Sequence, residues 1–335
     1  MSTIHDVAKR AGVSSITVSR VINNSGPVSQ KTRDRVEAAI AELNYIPNRL
    51  AQGLRSKRTS TLALVVTDIT NPFFTTLARG VEDVASAADF SVIFCNTDES
   101  EEKERKYLEL LRQQQVAGIL LVPACSNPNT MQFIRQQRIP VVLLDRTISG
   151  VDAHVVYCDS VKGAHELVSY LLELGHRKIA ILNGPPAVST ADDRLAGYQQ
   201  AMQAAGLDFT GLVYSGLFTH ASGYEMAKRA LSATPRPTAL FAANNFIANG
   251  VLMAVWEHGL RVPEDISIVC FDELPPSVVS HPFFTAIAQP AYELGQEAAK
   301  LLIAQINGSI PADLCQEIIL PTELIIRGTS VRKLD

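Results

Sequence analysis

The stretch "VSSITVSRVINN", Val13 to Asn24, decides how the N-terminal end folds, because read as a helix it carries apolar residues on two sides. Val18, Val21 and Ile22 share a face at i, i+3, i+4 spacing, which leaves Ile16 almost diametrically opposite. A small core takes only one of those faces. Ile16 is therefore expected to point outward with Ser15, Ser19 and Arg20. The flanking residues supply what the inner face packs on. Thr3 with Asp6 is a capping-box-like start, followed by Ile4, Val7, Ala8 and Ala11 at helical spacing and a stop at Gly12. Ser14 caps the second helix across a tight turn at Gly12 to Val13. A third helix is predicted from about Lys31 to Leu43, with Ser29 as its cap and Val36, Ile40 and Leu43 inward. Three short helices with three apolar stripes read as a helix-turn-helix around a miniature core.

In a helix-turn-helix, the N-terminal part of the second helix enters the DNA major groove. Its outward residues then meet base edges. Arg20 is able to make a bidentate pair with guanine, and an apolar side chain such as Ile16 contacts a thymine methyl. Charge agrees with this placement: residues 1–58 hold ten Lys/Arg against four Asp/Glu, net +6, although the whole chain carries −4. A basic head on an acidic body suits a polyanionic partner.

The run "TIHDVAKRAGVSSITVSRVINNSGPVSQKTRDRVEAAIAELNYIPNRLAQGLRSKRT", Thr3 to Thr59, resembles without a gap the DNA-binding head of the lactose/galactose repressor (LacI) family. The resemblance implies that Ser15, Ile16 and Arg20 read bases and that Ser14, Thr17, Ser19 and Asn23 lie near phosphates. It also bears on "PNRLAQGLRSKRTS", which by itself reads as a flexible linker: Pro47 suits a helix start, but the segment is shorter than an isolated helix needs and holds Gly53. In the family this hinge folds on the operator, and the matching residues here are Leu54, which would wedge into the minor groove, and Arg55 beside it.

Beyond Thr61 the chain alternates β-rich runs ("TLALVVTD", "SVIFCNTD", "GILLVP", "PVVLLD", "HVVYCD", "KIAILNG", "ALFAAN", "SIVCFDE") with helical stretches. The runs are read as buried strands of parallel, doubly wound sheets, and the length implies two subdomains. Ligands in that architecture sit at strand carboxyl ends, which makes Asp68, Asp145, Asp159, Asn183, Asn244 and Asp272 candidates, with helix capping as the competing role. The blocks "NPFF", "GHRKIAILNGP", "DRLAGYQQAM", "GLRVPEDISIVCFDE" and "TAIAQPAYELGQEAA" resemble the repressor core of the same family, which is similar to periplasmic sugar-binding proteins. The expected domains are a helix-turn-helix head (1–46), a hinge helix or linker (47–59) and a core (60–335). The core divides into an N-subdomain (about 60–160 and 290–320) and a C-subdomain (about 161–289 and 321–335). The resemblance places an effector between the subdomains, against Phe73, Phe74, Thr190, Arg194, Phe218, Asn244 and Asp272.

Two departures from the family pattern lie near that cleft: Asn245 replaces the usual Asp, and Cys270 replaces the usual Gly. Val188 stands where purine-responsive members carry a basic residue, which favours a sugar or sugar derivative over a purine. A phosphoprotein co-repressor is the other alternative within the family. The lone Trp256 is expected to pack against a neighbouring element rather than to line the ligand site.

Composition excludes several classes. With 335 residues, 47% hydrophobic and 19% charged, the chain is expected to form two or three globular domains. No run approaches a membrane span and Met1 to Arg20 is too charged for a signal peptide, so a cytoplasmic protein without a membrane partner is expected. Those features also count against a transport binding protein, the reading in which the core binds a small molecule without regulating anything. Five scattered cysteines and no paired-histidine spacing predict neither disulfides nor a metal site, only isolated buried thiols. The absence of G-x-G-x-x-G, a P-loop or G-x-S-x-G gives no catalytic residues and no cofactor. The chain ends soon after "PTELIIRGTS" without a heptad-patterned helix, which for this family implies a homodimer on a palindromic site rather than a tetramer.

Overall fold

The protein is described here by a computed structural model covering residues 2–22, 25–45, 59–126, 130, 132, 134, 136, 139–274, 283–311 and 314–333. It divides into two compact units, Met1–Thr59 and Ser60–Asp335.

In the first unit, α1 (Ile4–Ala11), α2 (Ser15–Ile22) and α3 (Gln30–Glu42) enclose a core in which Val7, Val18 and Val36 are fully buried. Thr3 and Asp6 close the capping box of α1, satisfying two end donors reciprocally. Gly12 ends that helix at φ +62°, a left-handed conformation that a side chain disfavours. Ser14 Oγ accepts from the Thr17 amide (3.2 Å), and Ser29 Oγ accepts from the Thr32 amide at the start of α3. Arg35 donates to the carbonyls of Ala11 and Gly12, which ties α3 to the turn.

The second unit holds two six-stranded sheets. Sheet one orders its strands β11-β5-β4-β3-β1-β2, all parallel: β1 (Thr61–Val66), β2 (Ser91–Asn96), β3 (Gly118–Leu121), β4 (Val141–Leu144), β5 (His154–Cys158) and β11 (Glu317–Leu320). Its helices include α4 (Pro72–Ala87), α5 (Glu101–Gln113) and α10 (Ala291–Ile306). Sheet two orders β12-β10-β9-β8-β6-β7: β6 (Ile179–Asn183), β7 (Val213–Ser215), β8 (Ala239–Ala242), β9 (Ser267–Phe271), β10 (Thr285–Ala288) and β12 (Glu323–Ile325), with only β12 antiparallel. Around it lie α6 (Ser160–Glu173), α7 (Ser189–Ala204), α8 (His220–Leu231) and α9 (Asn245–Glu257).

Each sheet repeats the doubly wound order 2-1-3-4-5, so each has a switch point where its order reverses, between β1 and β3 and between β6 and β8. The chain passes between the subdomains three times: from β5 to α6, from β10 to α10 and from β11 to β12. Those passages lie near residues 159, 290 and 321. At one of them α4 and α10 approach so closely that a Cβ on Gly80 would lie 2.1 Å from the Tyr292 carbonyl oxygen.

Three sequence readings need correction. "SVIFCNTD" is not a fully buried strand: β2 is an edge strand, and Ile93 and Phe94 are exposed because one side lacks a neighbour. Trp256 is not buried against a neighbour: it stands 62% exposed on α9, and it is not among the residues that line the cavity described below. The cysteines are not uniformly buried thiols, since Cys315 is exposed and Cys125 half-buried, both outside the strands that hold Cys95, Cys158 and Cys270. The short strands β10, β11 and β12 had no separate sequence signal, because their partners come from distant chain segments.

Candidate functional site

On the first unit, the two faces of α2 differ as the periodicity requires. Val18 is fully buried and Ile16 is 57% exposed. Arg20 and Ser14 are exposed as well, with Ser15, Thr17 and Ser19 half-buried. Ser14 Oγ and Thr17 Oγ1 lie 3.0 Å apart at the helix N-terminus, where unpaired amides favour an anion. One residue was missed from sequence: His5 on α1 places Nδ1 3.1 Å from Ser15 Oγ. Its only sequence signal is an outward position on the first helix. Asn23, Leu54 and Arg55 lie outside the described residues.

In the second unit, Phe73, Phe74, Thr190, Arg194, Phe218, Asn244 and Asp272 all line a single cavity of about 220 Å³ between the two sheets. Local structure explains how they converge. Asn71 Oδ1 caps α4 through the Phe73 amide (3.1 Å), which starts the helix so that Phe73 and Phe74 enter the cleft as an edge-to-face pair 5.1 Å apart. Asn244 caps α9 through the Ile247 amide (2.8 Å) while lining the cavity, so capping and lining are not alternatives for it. Gly184 makes room for the Phe218 ring, since a Cβ there would sit 2.2 Å from the ring edge.

The cavity holds more charge than the expected residues account for. Asp68, Asp98, Glu99, Asp145, Arg146 and Gln289 also line it. Asp68 and Asp145 were strand-end candidates; Glu99, Arg146 and Gln289 follow strands too, but their roles depend on which strands are neighbours. Two strand-end candidates go elsewhere: Asp159 caps α6 and Asn183 donates to the Ala191 carbonyl (2.9 Å). Asp145 and Asp272 occupy equivalent places in the two sheets, each directly after the fourth strand of its doubly wound unit. Both have left-handed backbones, at φ +65° and +68°, a conformation that costs energy and clusters at binding sites.

Each aspartate has an arginine beside it. Arg146 is 4% exposed, grips Glu99 with two hydrogen bonds (2.6 and 2.7 Å) and lies 4.0 Å from Asp145. Arg194 is 3% exposed, donates to the Ala243 carbonyl (2.6 Å), lies 3.8 Å from Asp272 and stacks 4.0 Å over Phe271. Burial pushes the Asp145 carboxyl up to about 6, with Arg146 and Arg194 pulling it down and Asp272 and Glu99 pushing it further up. Burial disfavours the charge of Arg146, and Glu99, together with Asp145 and Glu104, more than restores it. Thr67 Oγ1, Arg146 Nε, Arg194 Nε and Gln289 Oε1 are buried without a hydrogen-bond partner among the described residues, and all four belong to residues lining the cavity. Unpaired buried groups each cost about 1–3 kcal/mol.

Several contacts bridge the cleft. Asn245 Nδ2 donates to Asn71 Oδ1 (3.0 Å), the Thr147 amide donates to Ser189 Oγ (2.9 Å), and the Ser126 amide donates to the Ala187 carbonyl (3.2 Å). The Arg146 guanidinium lies 5.8 Å from the Phe218 ring centre. The first of these accounts for one departure from the family pattern: an amide at 245 supplies the proton that Asn71 Oδ1 accepts. Cys270, the other departure, is buried in β9, and its Sγ lies 3.5 Å from the Asp272 carbonyl rather than on the cavity wall.

The three-helix head and the two-sheet core with a polar, aromatic-walled cleft define a class: a DNA-binding module joined to a periplasmic-binding-protein-like sensor. Residues 3–48 match "Bacterial regulatory proteins, lacI family" and residues 168–330 match a "Periplasmic binding protein-like domain". The HTH-type transcriptional regulator DegA of Bacillus subtilis is 37% identical over 98% of this chain and 98% of its own. The ribose operon repressor of Bacillus subtilis is 38% identical over 98% and 99%. Among solved structures, the lac repressor dimer bound to operator and an anti-inducer is similar with TM-score 0.85 and 30% identity, over 98% of this chain and 99% of that one. A LacI family transcriptional regulator from Enterococcus faecium with bound ribose has TM-score 0.72 and 30% identity, over 82% and 100%. The chain belongs to the lacI family of bacterial regulatory proteins. No helix among the described residues is long and apolar enough to cross a membrane.

Proposed function

We propose that this protein is a transcriptional repressor that binds a palindromic operator as a homodimer and responds to a neutral monosaccharide, ribose or a close pentose relative, held between the core subdomains. The observation that carries the effector reading is the pairing of Asp145 with Arg146 and Asp272 with Arg194 around a 220 Å³ cavity walled by Phe73, Phe74 and Phe218. Carboxylates accept from sugar hydroxyls, guanidiniums donate to them, and aromatic faces cover the apolar faces of the ring. Charge balance argues for an unphosphorylated sugar. Five carboxylates (Asp68, Asp98, Glu99, Asp145, Asp272) line the cavity against two guanidiniums; with Asp98 paired to Lys103, negative charge is still in excess and a phosphate would meet net repulsion. The ribose bound in the Enterococcus faecium relative and the ribose operon repressors among the homologues support the same class.

On the DNA side, Ser15, Ile16 and Arg20 are the base-reading set. Ser14, Thr17, Ser19 and Asn23 position the head on phosphates, and Leu54 with Arg55 act in the minor groove. The protein acts by binding and carries out no turnover. Calorimetric titration of the full chain with ribose, ribose 5-phosphate, glucose and hypoxanthine tests the effector, followed by operator anisotropy with and without the binder. Ribose is expected to bind, ribose 5-phosphate to bind at least about tenfold more weakly, and ribose to change operator affinity by roughly 5- to 150-fold. Preferential binding of hypoxanthine or of the phosphorylated sugar would overturn the effector reading, and conversion of the sugar would overturn the non-enzymatic one.

A further inference from the structure

We propose that His5 is a specificity-determining residue of the DNA face, acting through Ser15. It decides whether Ser15 offers a base edge a hydrogen-bond acceptor or a donor. The inference rests on reading Ser15 as a base-reading residue and adds a control over what Ser15 reads.

His5 is exposed on α1 and Ser15 opens α2, yet Nδ1 and Oγ meet at 3.1 Å across the turn. A serine hydroxyl has one proton and two lone pairs, so a partner that takes the proton leaves only acceptors, and a partner that gives one leaves the serine proton free. An imidazole nitrogen can play either part without moving, depending on which nitrogen carries hydrogen. In a helix-turn-helix the first helix crosses the sugar-phosphate backbone while the second enters the groove. A phosphate oxygen only accepts. A neutral His5 whose Nε2–H donates to phosphate therefore presents an unprotonated Nδ1, which takes the Ser15 proton. Ser15 Oγ is then an acceptor for the exocyclic amine of adenine or cytosine, and it has no proton for the acceptors of guanine or thymine.

The position makes this separable from folding. His5 contributes nothing to the buried core of the head, and the α1 capping box is made by Thr3 and Asp6.

Selection of full-length protein on random palindromic duplexes tests the proposal, using wild type, Ser15→Ala, His5→Ala and His5→Lys, each first shown by thermal melting to be folded. Ser15→Ala identifies the base pair that Ser15 reads. At that pair, wild type is expected to prefer adenine or cytosine on one strand by about fivefold, and His5→Ala to relax the preference below about twofold. His5→Lys, which only donates, is expected to turn the preference to guanine or thymine on the same strand. If Ser15→Ala alters no position, the base-reading role of Ser15 is wrong and the proposal falls with it. If Ser15→Ala erases a preference that both His5 variants leave intact, the base-reading role stands and the proposal alone is overturned.

Discussion

On the head, Ile16 stands 57% exposed above a core of a few small apolar residues, and its neighbours Arg20 and Ser14 face solvent as well. In the cleft, Arg194 and Arg146 are 3% and 4% exposed, and each is held by fixed partners. The two regions recognise by opposite means. The head presents side chains to a partner that brings its own order, so exposure is its working state, and losing one contact changes selectivity more than stability. In the cleft Asp145, Arg146, Arg194 and Asp272 have left water, so each is tied to the fold, and losing one is felt in stability and binding together.

The largest expected effect separates these behaviours. Arg194→Ala removes the partner 3.8 Å from buried Asp272 and the donor to the Ala243 carbonyl. Removing one member of a buried pair costs about 3–5 kcal/mol, so urea unfolding of the full chain should shift strongly and sugar binding should be lost. An unchanged unfolding midpoint would break the comparison on the cleft side. Asn245→Asp should cost about 1–3 kcal/mol, because Asn71 Oδ1 already accepts from the Phe73 amide and would face a second acceptor. The same unfolding experiment measures it, with Asn245→Gln as a control that retains the amide.

On the head, Arg20→Ala should leave the unfolding midpoint within about 0.5 kcal/mol of wild type while costing about 1–3 kcal/mol of discrimination at one base pair per half-site. Anisotropy with single-substituted operators reads the second quantity. A loss of affinity equal for all sequences would reassign Arg20 to the phosphates.

The smallest effect is on pH. The folded Asp145 carboxyl sits near 6, above its ordinary value of 3.8, because burial disfavours its charge. The stability this group contributes is therefore fully present below about pH 4 and is lost as pH rises through 6. Sugar binding has the opposite sign if hydroxyls donate to the carboxylate. Between about pH 7.5 and about pH 5.5, affinity should fall by about fourfold. Arg146 and Arg194 face Asp145 and favour its charge, while Asp272 and Glu99 oppose it. Asp145→Asn should flatten the profile, and a slope that survives this change would assign the titration to another group.

The difference between the regions also governs how much was legible in sequence. The periodicity of α1 to α3 and their caps at Thr3, Ser14 and Ser29 fix the head, since its elements are consecutive and its recognition face is whatever the core leaves outside. For the core, the alternation of strand and helix gave the fold class, and the family resemblance supplied seven residues that line one cavity. The grip of Glu99 on Arg146, the bond from Asn245 to Asn71 and the placement of Gln289 were not legible. Each pairs segments that are distant in the chain or on opposite subdomains. The exposure of Trp256 and of β2 went unread because burial depends on which neighbour an element has.

Sequence by itself determined the local matters: three capped helices with an outward Ile16, two rounds of strand and helix, and aspartates at strand ends. Those follow from spacing, capping chemistry and turn preference, which act over a few residues. Tertiary structure alone decided that Asp145 and Asp272 occupy equivalent places beside one cavity, that Arg146 and Arg194 each take a carboxylate partner, and that His5 reaches Ser15. These are meetings of side chains whose backbones are brought together only when the two sheets and the two head helices have packed, and no local interaction specifies them.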